Sequence, residues 1–267
     1  FEAAKTALSV APDKIGFVAG DLIEVEQAKA ALDLARAMGV ENTDCRPAGA
    51  GYGTSGVREH YLLNSTFAAV EEADALFLVG TNPRLEAAVW NARIRKAWLW
   101  NDLKVFVVGE AADLTYEYTH LGTDPSAIAE IAKQKGFKNP VVVVGEGALT
   151  RGDGAAIFAA AQEAAILSGA ITDGWAGFGV LHTAAGRVGA LDTGFIPGEG
   201  GKDTAAMLNG EVETLVLLGT DEVDLSKTSN ATVIYVGSHG DAGASHADII
   251  LPSAAYTEMA ATYVNTE

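Results

Sequence analysis

Short runs of valine, isoleucine, leucine and phenylalanine recur along the chain, at residues 15–20, 75–80, 104–109, 141–145, 214–219, 232–237 and 248–251. They lack the apolar–polar alternation of a half-solvated strand, and continuous apolarity fits strands covered on both faces. Between them, longer alanine-rich stretches with apolar positions at helical period predict helices over residues 24–38, 85–100, 125–135 and 154–167, with Gly39 ending the first. Strands alternating with such helices predict an α/β fold, in which crossover helices cover both faces of a parallel sheet. Six of the seven runs end in or just before glycine, where a chain leaving a sheet edge turns tightly into a loop. In open parallel sheets that edge is where ligands sit.

The pattern loosens over residues 168–209 into a glycine-rich stretch, with a helix expected over 182–191 and a loop over 194–201. The polar, turn-prone break at residues 136–140 is followed by a fresh strand, so the expected division is 1–137 and 138–267. An internal echo supports two related halves: Ala75-Leu76-Phe77-Leu78-Val79-Gly80-Thr81-Asn82 and Thr214-Leu215-Val216-Leu217-Leu218-Gly219-Thr220-Asp221 present strand, Gly-Thr and Asn or Asp in the same order. A shared strand-to-loop solution would also look alike without common ancestry.

Composition narrows the partners. Thirty-five acidic against eighteen basic side chains leave a net charge of −17, which repels phosphate backbones and anionic headgroups, so nucleic acid and lipid are poor partners. A single cysteine, Cys45, excludes an intrachain disulfide and any four-cysteine cluster or zinc site built from this chain alone. The most apolar helical stretch, 155–171, is short for a bilayer and is interrupted by Gln162 and Glu163, so no membrane insertion is expected. The chain opens at Phe1 without a signal-like segment or initiator methionine, and an excised piece of a longer polypeptide is expected.

Candidate chemistry is sparse. Gly51-Tyr52-Gly53-Thr54-Ser55-Gly56 has dinucleotide-loop spacing, but the segment before it contains Pro47 and no apolar strand, so a plain glycine-rich loop is the better reading. Gly145-Glu146-Gly147-Ala148-Leu149-Thr150 follows a strand and precedes a helix, yet Thr150 replaces the third glycine and Glu146 puts a carboxylate where phosphate charge would lie. The five histidines show no metal-ligand spacing; His239 with Asp241 is singled out because the pair follows an apolar run. No nucleophile elbow or catalytic cysteine context is present, so no catalytic residue and no metal ligand is assigned. The segment from Arg84 to Trp100 interleaves Arg84, Arg93, Arg95 and Lys96 with Trp90, Trp98 and Trp100. It reads either as an amphipathic core helix or as a surface for an anionic ligand or partner protein.

Gly80-Thr81-Asn82-Pro83-Arg84 followed by Asn91-Ala92-Arg93-Ile94-Arg95-Lys96 resembles the GTNPR…NARIRK signature of the large iron–sulfur subunit of respiratory NADH–quinone oxidoreductase, complex I. The likeness extends through Asp113-Leu114-Thr115-Tyr116, His239-Gly240-Asp241, Ala247-Asp248-Ile249-Ile250-Leu251-Pro252 and the closing Ala261-Thr262-Tyr263-Val264-Asn265-Thr266-Glu267, and so covers essentially the whole chain. It implies two doubly wound, mainly parallel-sheet units of the molybdopterin oxidoreductase type, like those of formate dehydrogenase and DMSO reductase. It further implies vestigial pterin-pocket positions at Thr81, Asn82, Pro83, Arg84, Thr220, Asp221, His239 and Asp241. The family's metal-ligand region would correspond to residues 44–48, where Cys45 falls a few positions early.

The resemblance implies no cofactor in this region, the iron–sulfur clusters belonging to an N-terminal part of the full subunit. The implied function is a scaffold that supports electron transfer from NADH to quinone within an oxidoreductase without carrying a redox centre or being catalytic in isolation. The implied partners are other peripheral-arm subunits and the N-terminal region of the same subunit. The implied place is the cytoplasmic face of a bacterial inner membrane or the mitochondrial matrix side. The alternatives are a live molybdopterin-dinucleotide oxidoreductase domain and a generic nucleotide-binding α/β protein.

Overall fold

The computed structural model describes residues 1–49, 51, 52, 55–228 and 230–267. The chain divides into two compact units, the first formed by Phe1–Gly49 with Ala184–Asn265 and the second by Ala50–Thr183 with Thr266–Glu267. The expected boundary at 136–140 therefore lies inside the second unit. The strand after that break, β6 (Pro140–Gly145), pairs with β3 (Ala75–Val79) in one sheet. The polar turn there leads from the 3₁₀ segment Pro125–Lys133 into a strand of the same sheet, while the divisions fall at 49/50, 183/184 and 265/266.

The second unit carries β3, β4 (Lys104–Val108), β5 (Thr119–Gly122), β6 and β9 (Phe178–Leu181), hydrogen-bonded in the spatial order β5-β4-β3-β6-β9. Every pair is parallel. Counted in chain order within the sheet this is 3-2-1-4-5, the doubly wound order whose strand sequence reverses at one switch point. A small antiparallel hairpin, β7 (Ile171–Thr172) and β8 (Trp175–Ala176), lies apart from the sheet. The helices of this unit include α3 (Pro83–Glu86), α4 (Ala88–Trp100), α5 (Glu146–Leu149) and α6 (Gly154–Ser168). Trp90, Ile94 and Ala97 of α4 pack with Leu76, Leu78, Val105 and Val141 into a continuous core.

In the first unit, α1 (Glu2–Ala7), β1 (Ile15–Ala19), α2 (Val25–Ala37) and β2 (Thr43–Asp44) come from the start of the chain. Helix α7 (Arg187–Asp192), β10 (Thr214–Leu218), β11 (Thr232–Gly237) and β12 (Ile249–Pro252) come from its later part. The five strands lie in the order β12-β11-β10-β1-β2, again all parallel. This is the second unit's spatial plan with the chain entering at a different strand: β10, β11 and β12 take the places of β3, β4 and β5, while β1 and β2 take those of β6 and β9. The internal echo in the sequence therefore marks equivalent strands, β3 and β10.

All seven sequence-predicted strands are present, and three details differ from expectation. The helix expected over 85–100 starts earlier and breaks at Ala87 (φ −148°, ψ 64°), because Asn82 accepts a hydrogen bond from the Arg84 N–H and Pro83 takes the first helical position. The segment 125–135 winds as tighter 3₁₀ turns over Pro125–Lys133 behind an Asp124 cap. Of residues 182–191 only the later part is helical, and at the start the His182 N–H is engaged outside any helix, donating to Thr266 Oγ1 at 2.8 Å.

Candidate functional site

Each sheet's switch point is built from a pair of glycines. In the second unit the register runs to Val79 opposite Val144, so Gly80 and Gly145 face each other at the carboxyl edge. In the first it runs to Ala19 opposite Leu218, bringing Gly20 beside Gly219. Gly80 and Gly219 both adopt φ of +58°, a left-handed conformation that opens the strand into the following Thr-Asn or Thr-Asp turn. Their partners need glycine for room: a Cβ on Gly145 would lie 2.4 Å from Thr81 Cβ, and one on Gly20 would lie 2.1 Å from the Gly219 carbonyl oxygen. Gly145→Ala is accordingly expected to cost about 1–3 kcal/mol of stability. Gly152→Ala, where a Cβ meets nothing within 4 Å, should be near neutral, and urea denaturation of the two variants side by side checks the contrast.

The crevice at the second unit's switch point opens on a cavity of about 320 Å³. Thr81, Asn82, Glu86, Glu110 and Arg151 supply its polar lining, and Ile128 and Ile157 part of its apolar wall. Glu86 closes the loop from within: its carboxylate accepts the Thr81 hydroxyl at 2.6 Å and the Asn82 N–H at 2.8 Å. Arg84 turns away and pairs with Asp113 at 2.5 Å, while Arg151 pairs with Asp153 at 2.7 Å. The Thr115 N–H and the Arg84 guanidinium hold the Asp113 carboxyl below the usual carboxylate range.

The first unit repeats the arrangement with different residues. Glu222 accepts the Asp21 N–H at 3.3 Å and the Asp221 N–H at 3.0 Å. Thr220 is buried and donates its hydroxyl to the Val18 carbonyl at 2.9 Å. Asp221 accepts the Tyr235 hydroxyl at 2.9 Å and the Gly243 N–H at 2.7 Å, and Asp21 pairs with the buried Arg187. His239 and Asp241 lie exposed in the loop after β11, where Ser238 Oγ contacts His239 Nδ1 at 2.8 Å. The structure thus groups Thr81, Asn82, Pro83 and Arg84 at one sheet edge, and Thr220 and Asp221 at the other.

These contacts decide whether a pterin dinucleotide suits the loops. At both switch points the backbone N–H groups that would face an anionic pyrophosphate already bind a carboxylate of the chain, Glu86 or Glu222. An incoming phosphate would have to displace that carboxylate and lie beside its charge. The residues present do not fit the group. Cys45 fits a metal no better: it is buried, and burial pushes its thiol up to about 12 from the ordinary 9.0. Its proton is held by the folded state, so its stabilising contribution is complete below pH 9 and is lost as the pH rises towards 12. A thiol reagent at about pH 8 should leave Cys45 of the native chain unlabelled and react rapidly after unfolding in urea. Among the described residues no group of three or more His, Cys, Asp or Glu is placed to hold a metal ion, and no helix is long and apolar enough to cross a membrane.

One polar cluster has no signature as a group in the sequence. Glu146, the residue after Gly145, accepts the Thr183 hydroxyl and, at 3.4 Å, the Tyr52 hydroxyl. His182 Nδ1 lies 3.8 Å from Glu146 Oε1, and His182 Nε2 is 2.6 Å from the Tyr61 carbonyl oxygen. The sequence marks Glu146 only as a poor phosphate neighbour, and long-range pairing to residues 36 or 37 positions away leaves no local spacing. Gly53 and Thr54 of the glycine-rich loop lie outside the described residues.

The model of the molybdopterin oxidoreductase family matches residues 1–267. The chain is 43% identical over 266 residues to the mitochondrial NADH-ubiquinone oxidoreductase 78 kDa subunit of Neurospora crassa, covering 94% of this chain and 34% of that protein. It is 40% identical over 267 residues to the mitochondrial NADH dehydrogenase [ubiquinone] iron-sulfur protein 1 of Solanum tuberosum, covering 97% of this chain and 35% of that one. The chain thus spans about a third of the length of these curated relatives. Among solved structures, a chain of the formyltransferase/hydrolase complex from Methylorubrum extorquens with methylofuran superposes with a TM-score of 0.65 at 16% identity, covering 94% of this chain and 82% of that one. At that identity the likeness concerns the fold alone.

Proposed function

This chain belongs to the molybdopterin oxidoreductase family, and on that footing we propose that it is the scaffold region of a complex I large iron–sulfur subunit, retaining the family's fold without its cofactor chemistry. The observation that carries the reading is the carboxylate seated on each switch-point loop, Glu86 in one sheet and Glu222 in the other. Identity of 40–43% to complex I subunits supports the choice within the family. With its only thiol buried, the region contributes structure while electrons pass from NADH towards quinone through clusters held elsewhere in the subunit. Its partners are the N-terminal part of that subunit and other peripheral-arm subunits. Its place is the cytoplasmic face of a bacterial inner membrane or the mitochondrial matrix side.

The test has two readouts. Purified from a host that makes molybdenum cofactor, the protein should carry no stoichiometric molybdenum or releasable pterin, whereas about one pterin per chain would establish the live molybdopterin enzyme instead. Excising this region from the full subunit should lower the yield of assembled NADH–quinone oxidoreductase while the complexes that do form keep their turnover. A normal yield with lost turnover would defeat the scaffold reading.

A further inference from the structure

Helix α4 divides its circumference between core and solvent. At about 100° per residue, Trp90, Asn91, Ile94 and Ala97 share one arc and are buried. Val89, Ala92, Arg93, Arg95, Lys96, Leu99 and Trp100 fall outside that arc and are exposed, Arg95 on the Leu99 side. Val89 is 76% and Trp100 78% exposed, and Leu85 in the short helix α3 is 80% exposed. Along this outer face exposed apolar and cationic side chains alternate, with Arg93 and Lys96 between Val89 and Trp100, and tryptophan and arginine carry much of the energy where proteins meet.

The charge on this face is opposite to that of the chain. Arg93 and Lys96 share one carboxylate, Glu71, at 2.6 and 2.7 Å, and Arg95 makes no ion pair among the described residues. Helix α4 itself carries three cations, Arg93, Arg95 and Lys96, and no carboxylate, in a chain whose net charge is −17. We propose that the outer face of α4 docks an acidic helix of a separate partner polypeptide, whose apolar side covers Val89, Leu99 and Trp100 while its carboxylates pair with Arg95 and the Arg93–Lys96 pair. A second copy meeting this chain through the same face would set cations against cations, since a two-fold contact brings like patches together. Nucleic acid and anionic membranes are repelled by the rest of the surface.

The inference rests on the assembly reading above, and its test uses the full subunit in its assembled membrane complex. With Leu99 replaced by the photoreactive p-benzoylphenylalanine, irradiation should join the subunit to an Asp- and Glu-rich helix of another subunit, identified by peptide mass spectrometry. Arg95→Glu and Trp100→Ala should each lower recovery of the subunit in the complex by on the order of tenfold, with the melting temperature of this chain unchanged. Adducts confined to the subunit's own polypeptide, to a second copy, to lipid or to a neutral or basic segment would overturn the proposal, as would unchanged recovery of both variants. If the parent subunit itself is absent from any respiratory complex, the assembly reading fails first and is distinguished by that control.

Discussion

Replacing Arg46 with leucine is expected to lower the unfolding free energy by about 3–5 kcal/mol. The side chains of Asp44 and Arg46 are 2% and 7% exposed, and Asp44 Oδ1 accepts Arg46 Nε at 2.8 Å. The second oxygen accepts Arg46 Nη2 at 3.3 Å and the Thr204 N–H at 3.1 Å. Leucine removes the counter-charge and leaves the carboxylate in the interior with only backbone donors, the situation in which an ion pair is costliest to break. Asp44→Asn combined with Arg46→Leu should cost less than the sum of the two single changes, because the amide needs no counter-charge while keeping an acceptor for Thr204. Urea denaturation across this double-mutant cycle measures the coupling. A loss below about 1 kcal/mol for Arg46→Leu would place the pair with solvent-screened surface bridges instead.

The position of this pair bears on function. Residues 44–48 are the stretch that the family resemblance associates with a metal ligand, and here they hold a buried ion pair on either side of a buried thiol. Arg187 adds a hydrogen bond to the Cys45 carbonyl, so the segment is fixed from both its side chains and its backbone. At the two switch points too, loop amides are bonded within the chain, to Glu86 and Glu222.

How much of this could be read from the sequence follows from the range of the interactions. The strands of the two sheet centres, such as β3 and β10, are continuous apolar runs closed by glycine and announce themselves locally. Strand β5, Thr-His-Leu-Gly, is largely exposed at a sheet edge and carries no apolar run, and β2 spans only Thr43–Asp44, so neither has a local signature. The unit boundaries were illegible for a related reason. The first sheet is completed by strands separated by the whole second unit, and pairing such as Ile15 with Thr214 leaves no mark in composition. At the site, the glycines and the Gly-Thr echo were visible, whereas the role of Glu222 depends on an N–H at Asp21 some 201 residues away.

Trp90→Ala is expected to cost about 3–5 kcal/mol, the range for deleting a large buried aromatic. Trp90 is 1% exposed and stacks on Phe67 with ring centroids 5.8 Å apart, and it touches the cluster that joins α4 to the second sheet. Its Nε1 is buried without a hydrogen-bond partner among the described residues, so part of what the indole gains in burial is spent on an unbonded donor. Trp90→Phe should therefore cost clearly less than Trp90→Ala, keeping the stacked ring while removing that N–H. Thermal unfolding of the two variants decides the matter: equal losses would show that the site tolerates no repacking and that the donor carries no penalty. The same helix places Trp100 on its outer arc, and the two tryptophans separate stability from docking. Trp90→Ala should lower the melting temperature and assembly together, since the outer face is held in place by the inner one. Trp100→Ala should lower assembly alone, because an exposed side chain removes little from the folded chain's own packing.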